Sequence, residues 1–150
     1  GWDGRAFTIY KFRTMKPHKE RENKITQATI NDQRFTLIGK WLRKSSFDEL
    51  PQIINVLQGR MSLVGPRPHV AQHDNEYQKT IQGYVRRYSV KPGITGWAQV
   101  NDLRGEIRSI DDINRRLQHD LFYIENWSLW FDLRIILTTI IKVFFSRQAW

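Results

Sequence analysis

The sequence predicts an α/β domain, mainly helical with a few short strands, and three observations carry that reading. Apolar residues recur at helical spacing in three separate windows, 37–42, 50–57 and 110–124. Strand-like alternation is confined to brief runs. The 150 residues are 40% apolar and 26% charged with no cysteine, which suits one hydrophobic core and excludes a disulfide scaffold, a cysteine zinc site and a thiol nucleophile. No stretch approaches the ~20 uninterrupted apolar residues of a spanning helix, and no signal segment opens the chain.

Taken in order, Phe7 to Phe12 alternates apolar and polar residues and predicts a strand closed by Arg13-Thr14-Met15. Residues 16–34 are polar, show neither period, and are expected to form a surface loop with room for one short helix. Leu37, Ile38, Trp41 and Leu42 then share one helical face, with Lys40, Arg43 and Lys44 flanking it. Leu50, Ile53, Ile54 and Leu57 predict a second helix over about 48–58, and Gly59 suits a left-handed C-terminal position. Ser46-Phe47-Asp48-Glu49 matches a capping box. Pro51, however, would fall too deep in a helix begun at Ser46, so Asp48 is the expected cap.

The apolar segment Met61 to Val64 is stopped by Gly65-Pro66-Arg67-Pro68, whose prolines place Arg67 on a stiff turn. A polar helical stretch follows through Tyr77 and Ile81, then a loop, Lys91 to Gly96, before Trp97 to Val100. Ile110, Ile113, Leu117, Leu121 and Ile124 define a long helix started by Ser109-x-x-Asp112. Residues 129–145 are apolar but carry Asp132, Arg134 and Lys142, too many charges for a bilayer centre. The aromatics Trp127, Trp130, Phe131, Phe144, Phe145 and Trp150 suit either a core or a membrane interface, and both readings stand here.

The net charge of +9 is front-loaded, with 12 basic against 6 acidic residues before position 61 and 12 against 9 after it. Such an excess predicts a polyanionic partner, whether nucleic acid, anionic lipid or phosphorylated small molecules. Asp48 and Glu49 are the pair to inspect first. Their bland reading is a helix cap; the functional one is phosphoryl chemistry beside unpaired backbone N–H groups. Arg43, Arg67 and Arg104 each stand near a loop or helix end, where a planar guanidinium suits bidentate phosphate binding. His69 and His73, four apart, have the spacing of a helical metal pair but lack a further ligand nearby, so surface histidines are expected.

Five blocks together carry a resemblance: Lys11-Phe12-Arg13-Thr14-Met15, Asp48-Glu49-Leu50-Pro51-Gln52, Asn55-Val56-Leu57, Gly59 through Pro68, and Lys91 through Asn101. In this order they resemble the bacterial sugar transferases, the polyprenyl-phosphate glycosyl-1-phosphate transferases or monotopic phosphoglycosyl transferases, over about residues 4–145. The resemblance implies a catalytic domain that moves a sugar phosphate from a UDP-sugar to undecaprenyl phosphate in two steps with Mg²⁺, initiating exopolysaccharide synthesis. Asp48 occupies the nucleophile position, whose acyl phosphate would follow release of UMP, and Glu49 the metal-ligand position. Arg43, Arg67 and Arg104 match phosphate- or nucleotide-binding positions, and Lys11 and Arg13 of the first block are expected to join them in substrate binding.

Thr14, Phe47 and Asp102 depart from the commoner residues of the blocks, Asp102 in a loop whose shape it alters. The family carries a re-entrant membrane helix ahead of the first block. Residues 1–150 are therefore expected to be a catalytic domain truncated at its N-terminus, from a protein seated on the cytoplasmic leaflet of the bacterial inner membrane. The stretches 103–106 and 123–130 most resemble the undecaprenyl-phosphate glucose phosphotransferases, which makes glucose the first sugar to test. The competing reading is a non-enzymatic basic module for nucleic acid or anionic membranes; it leaves the stiff Gly-Pro-Arg-Pro turn and the ordered blocks without a purpose.

Overall fold

The computed structural model describes residues 1–17, 32–105, 107 and 109–145, with Phe144 and Phe145 described by their backbone alone. Most of the expected 16–34 loop, and His18, Glu106, Trp150 and the Phe144 and Phe145 side chains, lie outside the described residues. The described chain is mainly helical: α1 Leu37–Lys44, α2 Gln52–Leu57, α3 Ala71–Thr80, α4 Trp97–Val100, α5 Ile110–Glu125 and α6 Leu129–Phe145. Short 3-10 turns occupy Trp2–Gly4, Phe47–Glu49 and Tyr84–Ser89.

Two strands, β1 Ser62–Val64 and β2 Gly93–Thr95, form a small parallel sheet in the register Ser62 to Gly93 and Val64 to Thr95. The second arises inside the segment expected to be a loop. Its pairing depends on glycine: a Cβ at Gly93 would lie 2.1 Å from the Gly65 nitrogen, and one at Gly65 would lie 2.5 Å from the Lys91 carbonyl. Gly65 N donates to Thr95 O at 2.9 Å and Gly93 N to Pro66 O at 3.0 Å. The two Gly-Pro segments are thus backbone-to-backbone neighbours, which fixes the Arg67 turn against the sheet.

Residues 7–12 do not form the expected strand. Their backbone is clipped instead by a side chain: Tyr10 N–H donates to Asn55 Oδ1 at 3.1 Å, and Asn55 Nδ2 donates to Thr8 O at 2.8 Å. Phe12 N–H donates to Asp48 O, and only at Met15 does the segment make a bridge, antiparallel to Phe35. Alternation signalled an extended chain but could not reveal that an amide, rather than a neighbouring strand, satisfies it.

The second helix also differs from its expectation. Asp48 is not its cap: helix α2 begins at Gln52, preceded by Pro51. Pro51 has no N–H for an i−4 carbonyl, so the chain makes tighter turns before it, Glu49 N to Ser46 O and Leu50 N to Phe47 O, both 3.2 Å. Ser46 starts that turn in a left-handed conformation, φ 60°. Helix α2 is moreover inverted relative to its apolar pattern. Gln52 and Asn55 are buried, Asn55 completely at 0% exposure, while Leu50, Ile53, Ile54 and Leu57 face outward, Leu57 at 83%.

The core lies in two clusters bridged by α5, whose capping box is present as expected: Ser109 Oγ accepts from Asp112 N–H, and Asp112 Oδ2 from Ser109 N–H. Ile113 and Leu117 of α5 pack with Ile81 and Tyr84; Tyr123 packs with Val64, Val100 and Ile135. Helix α6 packs one face of the 129–145 stretch into the core and leaves another exposed. Ile135 is fully buried, with Phe131 and Ile136 packed on the same cluster, whereas Leu129, Trp130, Leu133, Leu137, Ile140 and Ile141 are exposed. On α1, Leu37, Ile38 and Trp41 are exposed as well. Among the described residues no helix is long and apolar enough to cross a membrane.

Candidate active site

The tight turn before Pro51 buries both Asp48 and Glu49, and it gives them different surroundings. Glu49 is ringed by cations. Arg67 donates Nη1 to Oε2 at 3.1 Å and Nη2 to Oε1 at 2.5 Å, Lys11 Nζ donates to Oε1 at 3.0 Å, and Arg104 Nη2 lies 3.2 Å from Oε2. Burial alone would raise the Glu49 pKa, but Arg67, Lys11 and Arg104 together hold it well below the usual carboxylate range. Among the described residues the Asp48 carboxylate has no hydrogen-bond or ion-pair partner. Burial, and then the Glu49 charge beside it, push its pKa up against the pull of Lys11, Arg43 and Arg104. Two adjacent carboxylates are therefore driven apart, the usual preparation for separate roles.

Each cation comes from a different part of the chain. Arg67 leaves the stiff turn after β1, Lys11 the extended segment clipped by Asn55, and Arg104 the turns after α4, where Asp102 adopts φ 63°. Arg104 Nη1 also donates to Ser46 Oγ at 2.6 Å, tying that loop to the start of the acidic turn. Arg43 of α1 donates Nε to Thr14 Oγ1 at 2.9 Å and stacks 4.5 Å over Phe35, so it reaches the pair through its field on Asp48. Arg13 is exposed and, among the described residues, makes no hydrogen bond or ion pair. The sequence thus located three cations that touch Glu49. It named Ser46 and Asn55 only as members of motifs and missed the contacts they make; the signal for Asn55 was its polar interruption of an aliphatic helix.

The histidines also differ from their expectation. His69 precedes α3 rather than lying on it with His73, and only 9% of its side chain is exposed. Its Nδ1 lies 2.6 Å from the Tyr84 hydroxyl and 3.1 Å from Arg87 Nη1, and Nε2 has no hydrogen-bond partner among the described residues. No group of three metal-ligating side chains occurs among the described residues. Burial first, then Arg87, Arg116, Arg67 and His73, lower the His69 pKa well below 6.5, even with Asp74 Oδ1 3.7 Å away. The unfolded chain therefore takes up a proton near pH 6.5 that the folded chain refuses, so stability rises with pH up to that point. Urea titrations are expected to show this rise below pH 6.5, at most about 1.4 kcal/mol per pH unit, and His69→Gln to flatten it. An unchanged slope in the variant would place the titrating group elsewhere.

A buried carboxylate pair faced by two guanidinium groups and an ammonium gathers the kind of charge that phosphate binding uses. Residues 1–146 match the family model for bacterial sugar transferases, and the chain belongs to that family. It is 53% identical over all 150 residues to a UDP-glucose:undecaprenyl-phosphate glucose-1-phosphate transferase of Xanthomonas campestris pv. campestris, covering 31% of that protein. It is 49% identical to the enzyme of the same name from Escherichia coli K12, covering 32% of its length. Over 93% of the chain it is 44% identical to a UDP-N-acetylgalactosamine-undecaprenyl-phosphate N-acetylgalactosaminephosphotransferase of Aeromonas hydrophila, 32% of which is covered. The chain thus spans about a third of the length of these relatives.

Proposed function

We propose that this domain transfers a sugar 1-phosphate, glucose first, from a UDP-sugar to undecaprenyl phosphate through a phosphosugar held on Asp48. One observation carries the reading: a buried carboxylate without a partner among the described residues stands beside a second whose oxygens hold three cations. An unpartnered, ionised Asp48 is free to attack the phosphorus next to the sugar. The new bond is an acyl phosphate; the bond broken joins that phosphorus to the bridging oxygen, which departs with UMP. A phosphate oxygen of the lipid then attacks the same phosphorus, the carboxylate leaves unchanged, and the product is the lipid diphosphate sugar.

The cations explain how two anions can meet. Arg67, Lys11 and Arg104, held together by Glu49, are the cations this reading assigns to the diphosphate and to the negative charge that grows as UMP leaves. The donor set also fits Mg²⁺, which takes one or two carboxylates together with substrate phosphates. Glu49 would hold it, with an open Asp48 oxygen beside it, and the ion would supply further neutralisation of the diphosphate. Glu49 and Arg104 also line an apolar groove of about 390 Å³, walled by Leu50, Ile53, Ile136 and Ile140, of a character suited to an isoprenoid chain. The outward aliphatic faces of α1, α2 and α6 support seating on a membrane surface, which this reading takes to be the cytoplasmic leaflet of the bacterial inner membrane.

The names of the relatives support UDP-glucose and undecaprenyl phosphate as the pair of substrates. A nucleic-acid module is disfavoured because three of the basic groups converge inward on one buried carboxylate instead of tracking along an outer face. The test uses the full-length protein in lipid nanodiscs with UDP-glucose and Mg²⁺. UMP release is expected to reach one equivalent without undecaprenyl phosphate and to turn over with it. Release of glucose 1-phosphate or UDP instead, or no release from any UDP-sugar, would overturn the reading.

A further inference from the structure

We propose that Arg87 is a positioning residue that aims the Arg67 guanidinium, with Asp120 holding Arg87 in place; the inference rests on the transfer reading above. Arg87 lies in the Tyr84–Ser89 turn with only 5% of its side chain exposed, and among the described residues it touches neither Asp48 nor Glu49. Its N–H groups are divided among different parts of the chain. Nε donates to Asp120 Oδ2 on α5 at 2.8 Å, Nη1 to the Tyr84 hydroxyl at 2.8 Å, and Nη2 to the main-chain carbonyl of Arg67 at 2.7 Å. The third of these bonds reaches the reaction site.

Arg67 stands between two prolines that have no N–H, so its turn is short of backbone donors where they are needed. The Arg87 guanidinium supplies one. Fixing a carbonyl fixes the peptide plane, and the proline rings already limit φ at 66 and 68. The direction in which the Arg67 side chain leaves the backbone is therefore set from behind, while its fork faces both Glu49 oxygens in front. Asp120 makes this possible by holding Arg87 in a plane. Its side chain is 4% exposed, and Tyr84 is steadied in turn by its hydroxyl bond to Asp74 at 2.6 Å. A buried ion pair is a poor source of stability compared with apolar packing, and its advantage is directional. Lysine at 87 would reach one of these acceptors and leave the others without a donor.

A role exercised through Arg67 predicts non-additivity, which a merely structural role does not. In the full-length protein, Arg87→Lys is expected to lower kcat/KM for UMP release about 10-fold, but no more than about twofold in an Arg67→Ala background. The loss of melting temperature, by contrast, is expected in both backgrounds alike. Asp120→Asn keeps an acceptor for Nε with the same shape; it should show a smaller rate loss with the same dependence on Arg67, and it carries the cycle if Arg87→Lys does not fold. Equal fold-losses with and without Arg67 would overturn the inference while leaving the function intact. A wild-type protein that releases no UMP from any UDP-sugar would instead remove both.

Discussion

Asp48→Asn is expected to abolish the covalent phosphosugar adduct and cut turnover by at least ~10⁴-fold, with the fold retained. The amide is nearly isosteric but is a poor nucleophile. The structure gives a second reason to expect a clean result. Asp48 caps no helix, and among the described residues its carboxylate makes no hydrogen bond, so its replacement breaks none. Burial and the neighbouring Glu49 raise its pKa, which means that ionising it costs free energy at this site. The melting temperature of the variant should hold or rise at neutral pH. Intact mass after incubation with UDP-glucose reads the adduct directly. A phosphosugar mass gain on the Asp48→Asn protein would place the nucleophile elsewhere.

Helix α5 could be read from the sequence because its determinants are local: a Ser-x-x-Asp box and a long apolar period each act within a few residues. The α2 region could not, because its determinants are distant. Asn55 is buried by the chain at Thr8 and Tyr10, more than forty residues away, and that clip replaces the ladder that a strand at 7–12 would need. The aliphatic residues of α2 then turn outward, contrary to the rule that an apolar stripe faces the protein core. Such a rule assumes water on the other side, and an inverted helix is what a neighbouring apolar phase permits. The site followed the same division. Asp48, Glu49 and Arg67 lie in short motifs that the family resemblance singled out, whereas Ser46, Arg87 and Asp120 make their contacts only when loops far apart in sequence meet.

Arg67→Lys is expected to slow transfer by roughly 10- to 100-fold, although it preserves the charge, because losing a charge-assisted hydrogen bond costs about 1.5–3 kcal/mol. Arg67 spans the two oxygens of Glu49 with two nitrogens of one planar group, a geometry that a diphosphate oxygen pair can take over. An ammonium meets one oxygen at a time. The stiff turn makes the loss harder to recover: Pro66, Pro68 and the carbonyl bond to Arg87 leave the backbone little freedom to carry a shorter reach to the same place. Lys11 and Arg104 still pair with Glu49, so the carboxylate stays neutralised and the fold should survive. The effect should therefore appear in the rate of adduct formation in single-turnover measurements, with the melting temperature changed only slightly. A wild-type rate in this variant would make Arg67 a simple counter-charge for Glu49, with phosphate recognition left to Arg104 and Lys11.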